Sequence, residues 1–268
     1  MLVSSLVLLG FGCLTGVTTV LFGFGGGFII VPVVFAVVSA ATGADAMHTA
    51  VATSTAVMIV NASTATIAQA RSGRLRKEHL HPLLEFIALG AVLGAVAANW
   101  APESVLHVLF IAYLAVTIVD SLARRGFLDN SRDAEGARPL GKVASTAGGV
   151  GIGAVASFLG VGGSVLTVPL LRRRGLPMAD AAAMANPLSI PVAVAGTAVY
   201  ALATPTATYP GQIGHVNFVV GAILLCGSLP TIALTKRLVG KIPDRVHAIA
   251  YVALLVVVMI TMIVTALT

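Results

Sequence analysis

The 268-residue chain has little charge: only 10% of its residues are Asp, Glu, Lys or Arg, against about 25% in soluble globular domains. Hydrophobic residues make up 57% of it, and the mean hydropathy is +1.00. A chain of this composition cannot cover its own surface with charge, which excludes a soluble domain. Cysteine is scarce as well. Cys13 and Cys226 lie in apolar runs without a CxxC spacing, so neither a disulfide framework nor a zinc site is indicated.

Charged residues are absent from several long runs, of which the two longest extend over 1–44 and 181–235. About 20 apolar residues suffice to cross a bilayer as a helix. A membrane β-barrel would show short alternating segments instead of these blocks of Ala, Val, Leu and Ile. The sequence therefore predicts an all-α polytopic membrane protein with roughly eight to ten transmembrane segments.

The two halves of the chain resemble each other at an offset of 137 residues. Seven residues, most of them glycine, recur within 21 positions. They are Gly12, Gly16, Gly23, Gly25, Gly26, Val31 and Pro32 in the first half and Gly149, Gly153, Gly160, Gly162, Gly163, Val168 and Pro169 in the second. We therefore predict a first repeat (1–123), a cytoplasmic linker (124–141) and a second repeat (142–268).

Each repeat is predicted to contain a helix, a glycine break, a shorter helix and three long spans. The predicted segments are 2–22, 28–41, 46–70, 80–99 and 104–122 in the first repeat, and 142–159, 164–171, 178–203, 214–235 and 246–267 in the second. Because 164–171 is too short to cross a bilayer, we expect the first two segments of each repeat to form a broken hairpin with its turn inside the membrane. The GxxxG spacings at 12/16 and 149/153 predict close packing by the first helix of each repeat.

All 16 basic residues lie in four clusters between predicted spans, namely 71–77, 124–142, 172–174 and 236–245. The other connectors contain no Lys or Arg. This alternation is typical of the positive-inside pattern, which places the four clusters in the cytoplasm and both termini outside. Equivalent connectors of the two halves carry opposite charge character, so we predict inverted repeats, an architecture of secondary transporters with the substrate site near the midplane. The net charge of +6 thus indicates topology and not a nucleic-acid partner.

The glycines that precede each short helix leave backbone N–H groups without intrahelical partners. A helix N-terminus carries about half a positive charge, so two of them at the membrane centre would bind an anion without any Lys or Arg. Hydroxyl and amide side chains of the third segments add donors. The predicted substrate-binding residues are Gly23, Phe24, Gly25, Gly26, Gly27, Thr53, Ser54, Gly160, Val161, Gly162, Gly163, Ser164, Asn186 and Ser189. The alternative interpretation is that these glycines only allow tight helix crossing.

Three prolines are predicted structural helix breaks: Pro32 and Pro169 after the glycines, and Pro187 in the third segment of the second repeat. His48 and Asp45 are the nearest titratable candidates for proton coupling. The alternatives are that Asp45 caps a helix N-terminus and that His48 is a polar residue at the interface. We predict no catalytic residue, no cofactor and no metal.

The paired Gly-x-Gly-Gly-x5-Pro motifs at 23–32 and 160–169, with Ala-x-Ala-Thr-Ser at 50–54, resemble the TauE/SafE family of sulfite and organosulfur-anion exporters. The second copy departs from the family pattern by reading Asn186-Pro-Leu-Ser189. The resemblance implies transport of sulfite, sulfoacetate, thiosulfate or a similar sulfonate through the cytoplasmic membrane of a prokaryote. An inside-negative potential favours export of an anion by about 2.3 kcal/mol per charge per 100 mV.

Three other functions compete with transport of a sulfur anion. An intramembrane enzyme needs a nucleophile with a base, or a metal cluster, and the spans offer no such set at repeat-related positions, so no enzymatic activity is expected. A membrane anchor subunit for a partner protein has no need of duplicated glycine breaks. A transporter of a non-sulfur organic anion stays open. The expected partners are a small anion and the lipid bilayer, without nucleic acid, and the protein is expected to be a monomer or a homodimer.

Overall fold

A computed structural model describes residues 2–41, 45–73, 75, 80–123, 127, 141–205, 211–239 and 241–267. The helices of the first half are α1 (Leu2–Phe22), α2 (Gly27–Ala41), α3 (Ala46–Arg71), α4 (Leu83–Asn99) and α5 (Glu103–Ala123). Those of the second half are α6 (Lys142–Ser145), α7 (Ala147–Leu159), α8 (Ser164–Arg172), α9 (Met178–Leu202), α10 (Phe218–Thr235) and α11 (Asp244–Leu267). Most of the predicted linker 124–141 and the basic residues at 74, 76, 77, 124, 125, 132 and 138 lie outside the described residues.

Seven helical segments within the described residues are long and apolar enough to cross a membrane, and α2 and α4 are shorter apolar helices. Large apolar side chains on the outside of the bundle, such as Val116, Leu122 and Val257, are exposed. Contiguous apolar surface of this kind is compatible with lipid and not with water. The predicted fold class, an all-α polytopic membrane protein, is therefore confirmed.

The predicted span 214–235 is wrong at its start, because α10 begins only at Phe218. The preceding residues form a short antiparallel hairpin of β1 (Gln212–Ile213) and β2 (Val216–Asn217). Gly214 takes a φ of +55° in its turn, a conformation that glycine adopts without strain. The Asn217 side chain then caps α10 by accepting from the Val220 N–H at 3.0 Å.

The prolines predicted as helix breaks do not end their helices. Pro32 lies inside α2, Pro169 inside α8 and Pro187 inside α9. A proline removes one helical N–H and frees the carbonyl four residues earlier. At Pro169 that carbonyl belongs to Val165, and the Tyr251 hydroxyl donates to it at 2.9 Å. A neighbouring side chain can thus donate to the carbonyl that the proline frees, which allows the helix to continue.

Glycines bring two pairs of helices into backbone contact. On α1, a side chain added at Gly12 or Gly16 would enter the backbone of α10. On α7, one added at Gly153 would enter the backbone of α4 at Ile87. The close packing predicted from the two GxxxG spacings is therefore confirmed.

The helix pairs follow the repeat. Besides α1 with α10 and α4 with α7, α3 packs on α9 and α5 on α11. The sequence repeat pairs the five helices of the first half, in order, with five of the second half: α1 with α7, α2 with α8, α3 with α9, α4 with α10 and α5 with α11. Exchanging each helix for its counterpart leaves this set of pairs unchanged. The domain limits and the inverted orientation of the repeats in a membrane stay predictions.

Charged side chains from distant parts of the chain meet at one end of the bundle. The buried Arg172 guanidinium lies 2.8 Å from Asp244 Oδ2 and donates to the Phe127 carbonyl. Arg173 pairs with Asp120. Connectors without Lys or Arg meet instead at the opposite end of α3. A helix of 26 residues is about 39 Å long, and this length separates the two groups of connectors. The described connectors thus sort into the two groups that the charge alternation predicts, and which group faces the cytoplasm stays a prediction.

Gly153→Leu is expected to lower the stability of the protein by about 3 kcal/mol or more, since the new side chain meets backbone that cannot move aside without separating α4 from α7. Gly151→Leu, on the same helix with no atom within 4 Å of an added Cβ, is the matched control. Thermal unfolding of the detergent-solubilised variants, followed by size-exclusion chromatography, measures the difference. Equal melting temperatures would show that α4 and α7 do not pack through this glycine.

Asp244→Asn is expected to destabilise the protein by about 3 kcal/mol, because the fully buried Arg172 guanidinium loses the carboxylate charge that it contacts at 2.8 Å. Asp120→Asn is the control, since its partner Arg173 is 36% exposed and such pairs contribute about 1 kcal/mol or less. The free energies of unfolding of the two variants decide the matter. A loss as large for Asp120→Asn would contradict this assignment.

Candidate functional site

The two glycine breaks meet inside the bundle. The first connects α1 to α2 and uses φ angles of +75°, +61° and +91° at Gly23, Gly25 and Gly26. The second connects α7 to α8, with +67° at Gly160 and +71° at Gly162. Side-chain-bearing residues rarely adopt these angles, so the glycines permit the reversals. A methyl group added at Gly27 would lie 2.8 Å from the Gly160 carbonyl oxygen, which places the two breaks in direct contact.

Ser54 of α3 joins the breaks. Its hydroxyl donates to the Gly160 carbonyl at 2.6 Å and lies 3.3 Å from the Gly27 carbonyl oxygen. Ser54, Gly27 and Gly160 are all buried. Because a buried carbonyl needs a donor, this hydroxyl stabilises the position where the halves touch. The same contact uses the Ser54 proton, so Ser54 offers an anion no free O–H in this conformation.

Met58, one turn further along α3, fills the space between the breaks. Its Sδ would lie 3.1 Å from a Cβ added at Gly25, 3.3 Å from one at Gly27 and 2.7 Å from one at Gly162. A thioether is flexible and polarisable, and it can adopt another rotamer without breaking a hydrogen bond. Met58 is therefore the movable side chain at the point where the two breaks converge.

The helices that follow the breaks begin with free backbone donors. Within the described residues, the N–H groups of 25–28 and of 162–165 have no protein acceptor. No acidic residue lies in the first turn of α2 or α8. Each helix therefore presents the positive end of its dipole without a carboxylate to neutralise it. This arrangement can accept an anion through backbone groups alone.

Side-chain donors stand beside these amides. The Ser164 hydroxyl, at the first residue of α8, is buried and has no hydrogen-bond partner in the part of the chain that is described. The same holds for Asn61 Nδ2, whose side chain would lie 2.7 Å from a Cβ added at Gly26. Asn61 Oδ1 accepts from the Ser228 hydroxyl at 2.7 Å, which fixes the amide with its nitrogen free. Two uncharged donors are thus available, one beside each break.

Other predicted site residues have structural partners. Thr53 Oγ1 accepts from the Asn217 N–H at 3.0 Å, and the Ser189 hydroxyl donates to the Ala185 carbonyl of its own helix at 3.0 Å. Phe24 is fully buried, with its ring centroid 4.8 Å from Phe28. Val161 is fully buried in the same apolar core. The side chains of Phe24, Val161 and Ser189 present no free donor to the breaks, whereas the Thr53 hydroxyl accepts here and keeps its own O–H to donate.

A line of polar residues leads from the first break towards the end of the bundle where the charges meet. Asn186 Nδ2 donates to the Thr19 carbonyl at 3.0 Å and to Gln69 Oε1 at 3.3 Å. Gln69 lines a cavity of about 100 Å³ together with Ser72 and Lys236. Lys236 supplies the positive charge of this cavity. The break residues themselves are buried, so the structure is closed between the cavity and the breaks.

His48 and Asp45, the candidates for proton coupling, lie away from the breaks. Ser54 is six residues further along α3 than His48, a rise of about 9 Å. His48 lies 3.7 Å from a Glu103 carboxylate oxygen, and its ring centroid is 5.2 Å from that of His215. Burial and the neighbouring His48 lower the pKa of His215, which lies in the hairpin. Asp45 stands at the N-cap of α3 with a φ of +54° but makes no side-chain cap hydrogen bond, so the capping alternative is wrong.

Sequence reasoning missed several residues around the site. Met58, Thr19 and Ser228 carry no signal of their own, because such residues are common in membrane helices. Gln69 is different: an amide inside a predicted span is costly in lipid and could have been singled out. Glu103, a carboxylate in a connector without Lys or Arg, carried a similar signal.

The bundle of long apolar helices defines a class of protein, the polytopic helical membrane proteins. The chain belongs to the TauE/SafE family, since the family described as "Sulfite exporter TauE/SafE" matches residues 8–262. A relative from Methanocaldococcus jannaschii, described as a probable membrane transporter protein, is 24% identical over 237 residues, which cover 88% of this chain and 85% of the relative. No solved structure matches the chain.

Ser54→Ala is expected to destabilise the protein by about 1–3 kcal/mol, because it leaves the buried Gly160 carbonyl without its donor. Ser189→Ala is the matched control at the equivalent repeat position, where the hydroxyl has no partner among the described residues outside its own helix; its effect should stay within about 0.5 kcal/mol. Unfolding of both purified variants measures the difference. Equal losses would contradict the bridging role of Ser54.

Proposed function

We propose that this transporter exports a small sulfur oxyanion, of the sulfite, thiosulfate or sulfonate class, and binds it near the membrane midplane between the two breaks. The observation that carries the proposal is the pair of helix N-termini with free backbone donors in one buried, uncharged place. Backbone donors bind a compact anion strongly and recognise its size and charge. The family description supports the sulfur-containing class.

The polar line through Asn186 and Gln69 supports one side of the transport path. Lys236 at its outer end attracts anions to the cavity. We assign this end to the cytoplasm of a prokaryotic cell, because the basic clusters gather there, and the termini to the outside. Inverted repeats then open the site alternately to each side by movement of one repeat against the other.

Export needs no coupling ion in this proposal. An inside-negative potential favours the exit of each negative charge by about 2.3 kcal/mol per 100 mV. Among the described residues, the side chains nearest to the break glycines include no carboxylate or histidine. His247 lies close by, with its Nε2 2.6 Å from the carbonyl oxygen of Leu21 in the last turn of α1. His48 and Asp45 lie near the far end of α3. The protein is proposed to act as an electrogenic facilitator with no enzymatic activity.

Transport by the protein reconstituted alone in liposomes tests this function. Sulfite loaded inside should leave faster than from protein-free vesicles, and an inside-negative potassium diffusion potential should accelerate its exit. Gly160→Ala should slow the exit about tenfold, the scale of one lost hydrogen bond of about 1.4 kcal/mol. The reason is that the added Cβ would lie 2.9 Å from the backbone Cα of Val51, at a φ of +67°, so the second break would have to shift.

Gly73→Ala is the matched control, since Gly73 has a similar φ of +71° but no atom within 4 Å of an added Cβ. Its transport rate should equal that of the unmodified protein. Exit of acetate with no exit of sulfite, thiosulfate or sulfoacetate would transfer the assignment to non-sulfur organic anions. Absence of any anion flux from folded protein would contradict transport and favour the role of a membrane anchor.

A further inference from the structure

Three side chains with metal-ligating atoms meet at the end of α3 opposite to the basic clusters. They are Asp45, His48 and Glu103, and one ligand atom from each lies within 4.8 Å of the others. Asp45 and His48 belong to the start of α3, and Glu103 begins α5. Because up to 58 residues separate them in the sequence, no local motif indicates this cluster.

His48 is 92% buried, with a relative exposure of 8%, and its two ring nitrogens have different surroundings. Nε2 lies 3.2 Å from the Ala98 carbonyl oxygen. A carbonyl only accepts, so Nε2 carries the hydrogen of this bond. In the neutral ring, Nδ1 then presents a lone pair. Nδ1 is buried without a hydrogen-bond partner among the described residues.

The Nδ1 lone pair faces oxygen. Glu103 Oε1 lies 3.7 Å away, and the Asp45 carboxylate belongs to the same group of ligand atoms. Two acceptors that face each other repel unless a cation lies between them. A shared proton would draw nitrogen and oxygen to about 2.8 Å, whereas two ligands bound at about 2.1 Å to one tetrahedral metal ion lie about 3.4 Å apart. The observed spacing is closer to the second case.

The surrounding contacts hold these ligands in place. Metal-binding histidines usually donate their second ring nitrogen to a carbonyl or carboxylate, as His48 does to Ala98. Glu103 Oε1 also accepts from the Met47 N–H at 3.1 Å, which orients the carboxylate. The His215 ring stacks on His48 from the hairpin, and its Nδ1 too lacks a hydrogen-bond partner among the residues described.

We propose that Asp45, His48 and Glu103 bind a divalent first-row metal ion of the Zn²⁺ type. One imidazole nitrogen with two carboxylate oxygens suits such an ion better than Ca²⁺ or Mg²⁺, which take oxygen ligands. The two carboxylates balance its charge. A bound ion links the start of α3 to the start of α5, and so stabilises the end of the bundle opposite to the basic clusters. This inference does not depend on which anion is transported.

Metal binding to the full-length protein, purified without a histidine tag, tests the proposal. Equilibrium dialysis against Zn²⁺ should find one ion per chain, and the ion should raise the melting temperature. His48→Ala and Glu103→Gln should weaken binding at least a hundredfold. His81→Ala is the matched control, because His81 forms a contact of 3.2 Å with Glu85 on the exposed surface, and no third metal-ligating side chain of the described residues joins that pair; it should bind as the unmodified protein does.

Glu103→Gln keeps the size of the side chain and an oxygen for the Met47 N–H, so it decides the matter if His48→Ala fails to fold. Substitution of Zn²⁺ by Co²⁺ should give a visible absorption spectrum that disappears in Glu103→Gln. Equal Zn²⁺ binding in all folded variants would overturn the proposal. The proposal would also be overturned if the protein bound no Zn²⁺ and its melting temperature changed with pH in a way that His48→Ala abolishes. In that case a proton, and not a metal ion, would lie between His48 and Glu103.

Discussion

A hydrogen bond from the Ser54 hydroxyl to the Gly160 carbonyl connects the two halves at the centre of the bundle. Both glycine breaks expose backbone groups that lipid cannot satisfy, so each break must lie against protein. Gly27 contacts Gly160, and the Ser54 hydroxyl lies within hydrogen-bond distance of the carbonyl oxygens of both glycines. Met58 packs into the remaining space between the breaks. The backbone N–H groups at the starts of α2 and α8 have no acceptor among the described residues, so they are available to bind an anion.

The outer parts of the molecule follow from the same scarcity of charge. With no Lys or Arg in the spans, the described charged groups concentrate at the ends, where Arg172 pairs with Asp244 on one side and His48 approaches Glu103 on the other. The buried polar residues beside the breaks are amides and hydroxyls, and two of these amides, Asn186 and Gln69, are hydrogen-bonded to each other. An anion moving past such groups meets donors without a fixed positive charge that would retain it.

The sequence predicted the helices well because apolar runs and glycines mark their limits: the segments expected at 2–22 and 164–171 are Leu2–Phe22 and Ser164–Arg172. The hairpin before α10 was missed, since its residues continue an uncharged run. Ser54 and Ser189 occupy equivalent repeat positions, yet one joins the halves and the other bonds to its own helix. That difference depends on how the helices pack against each other. The approach of Glu103 to His48 is likewise a tertiary contact that no local pattern contains.

The oxyanion is proposed to bind to the backbone at the two glycine breaks. Anomalous diffraction from crystals soaked in selenite, the heavier analogue of sulfite, locates the anion directly. We predict a selenium peak within hydrogen-bond reach of the amides of 25–28 or 162–165. A peak confined to the cavity beside Gln69 and Lys236, with none at the breaks, would contradict the claim.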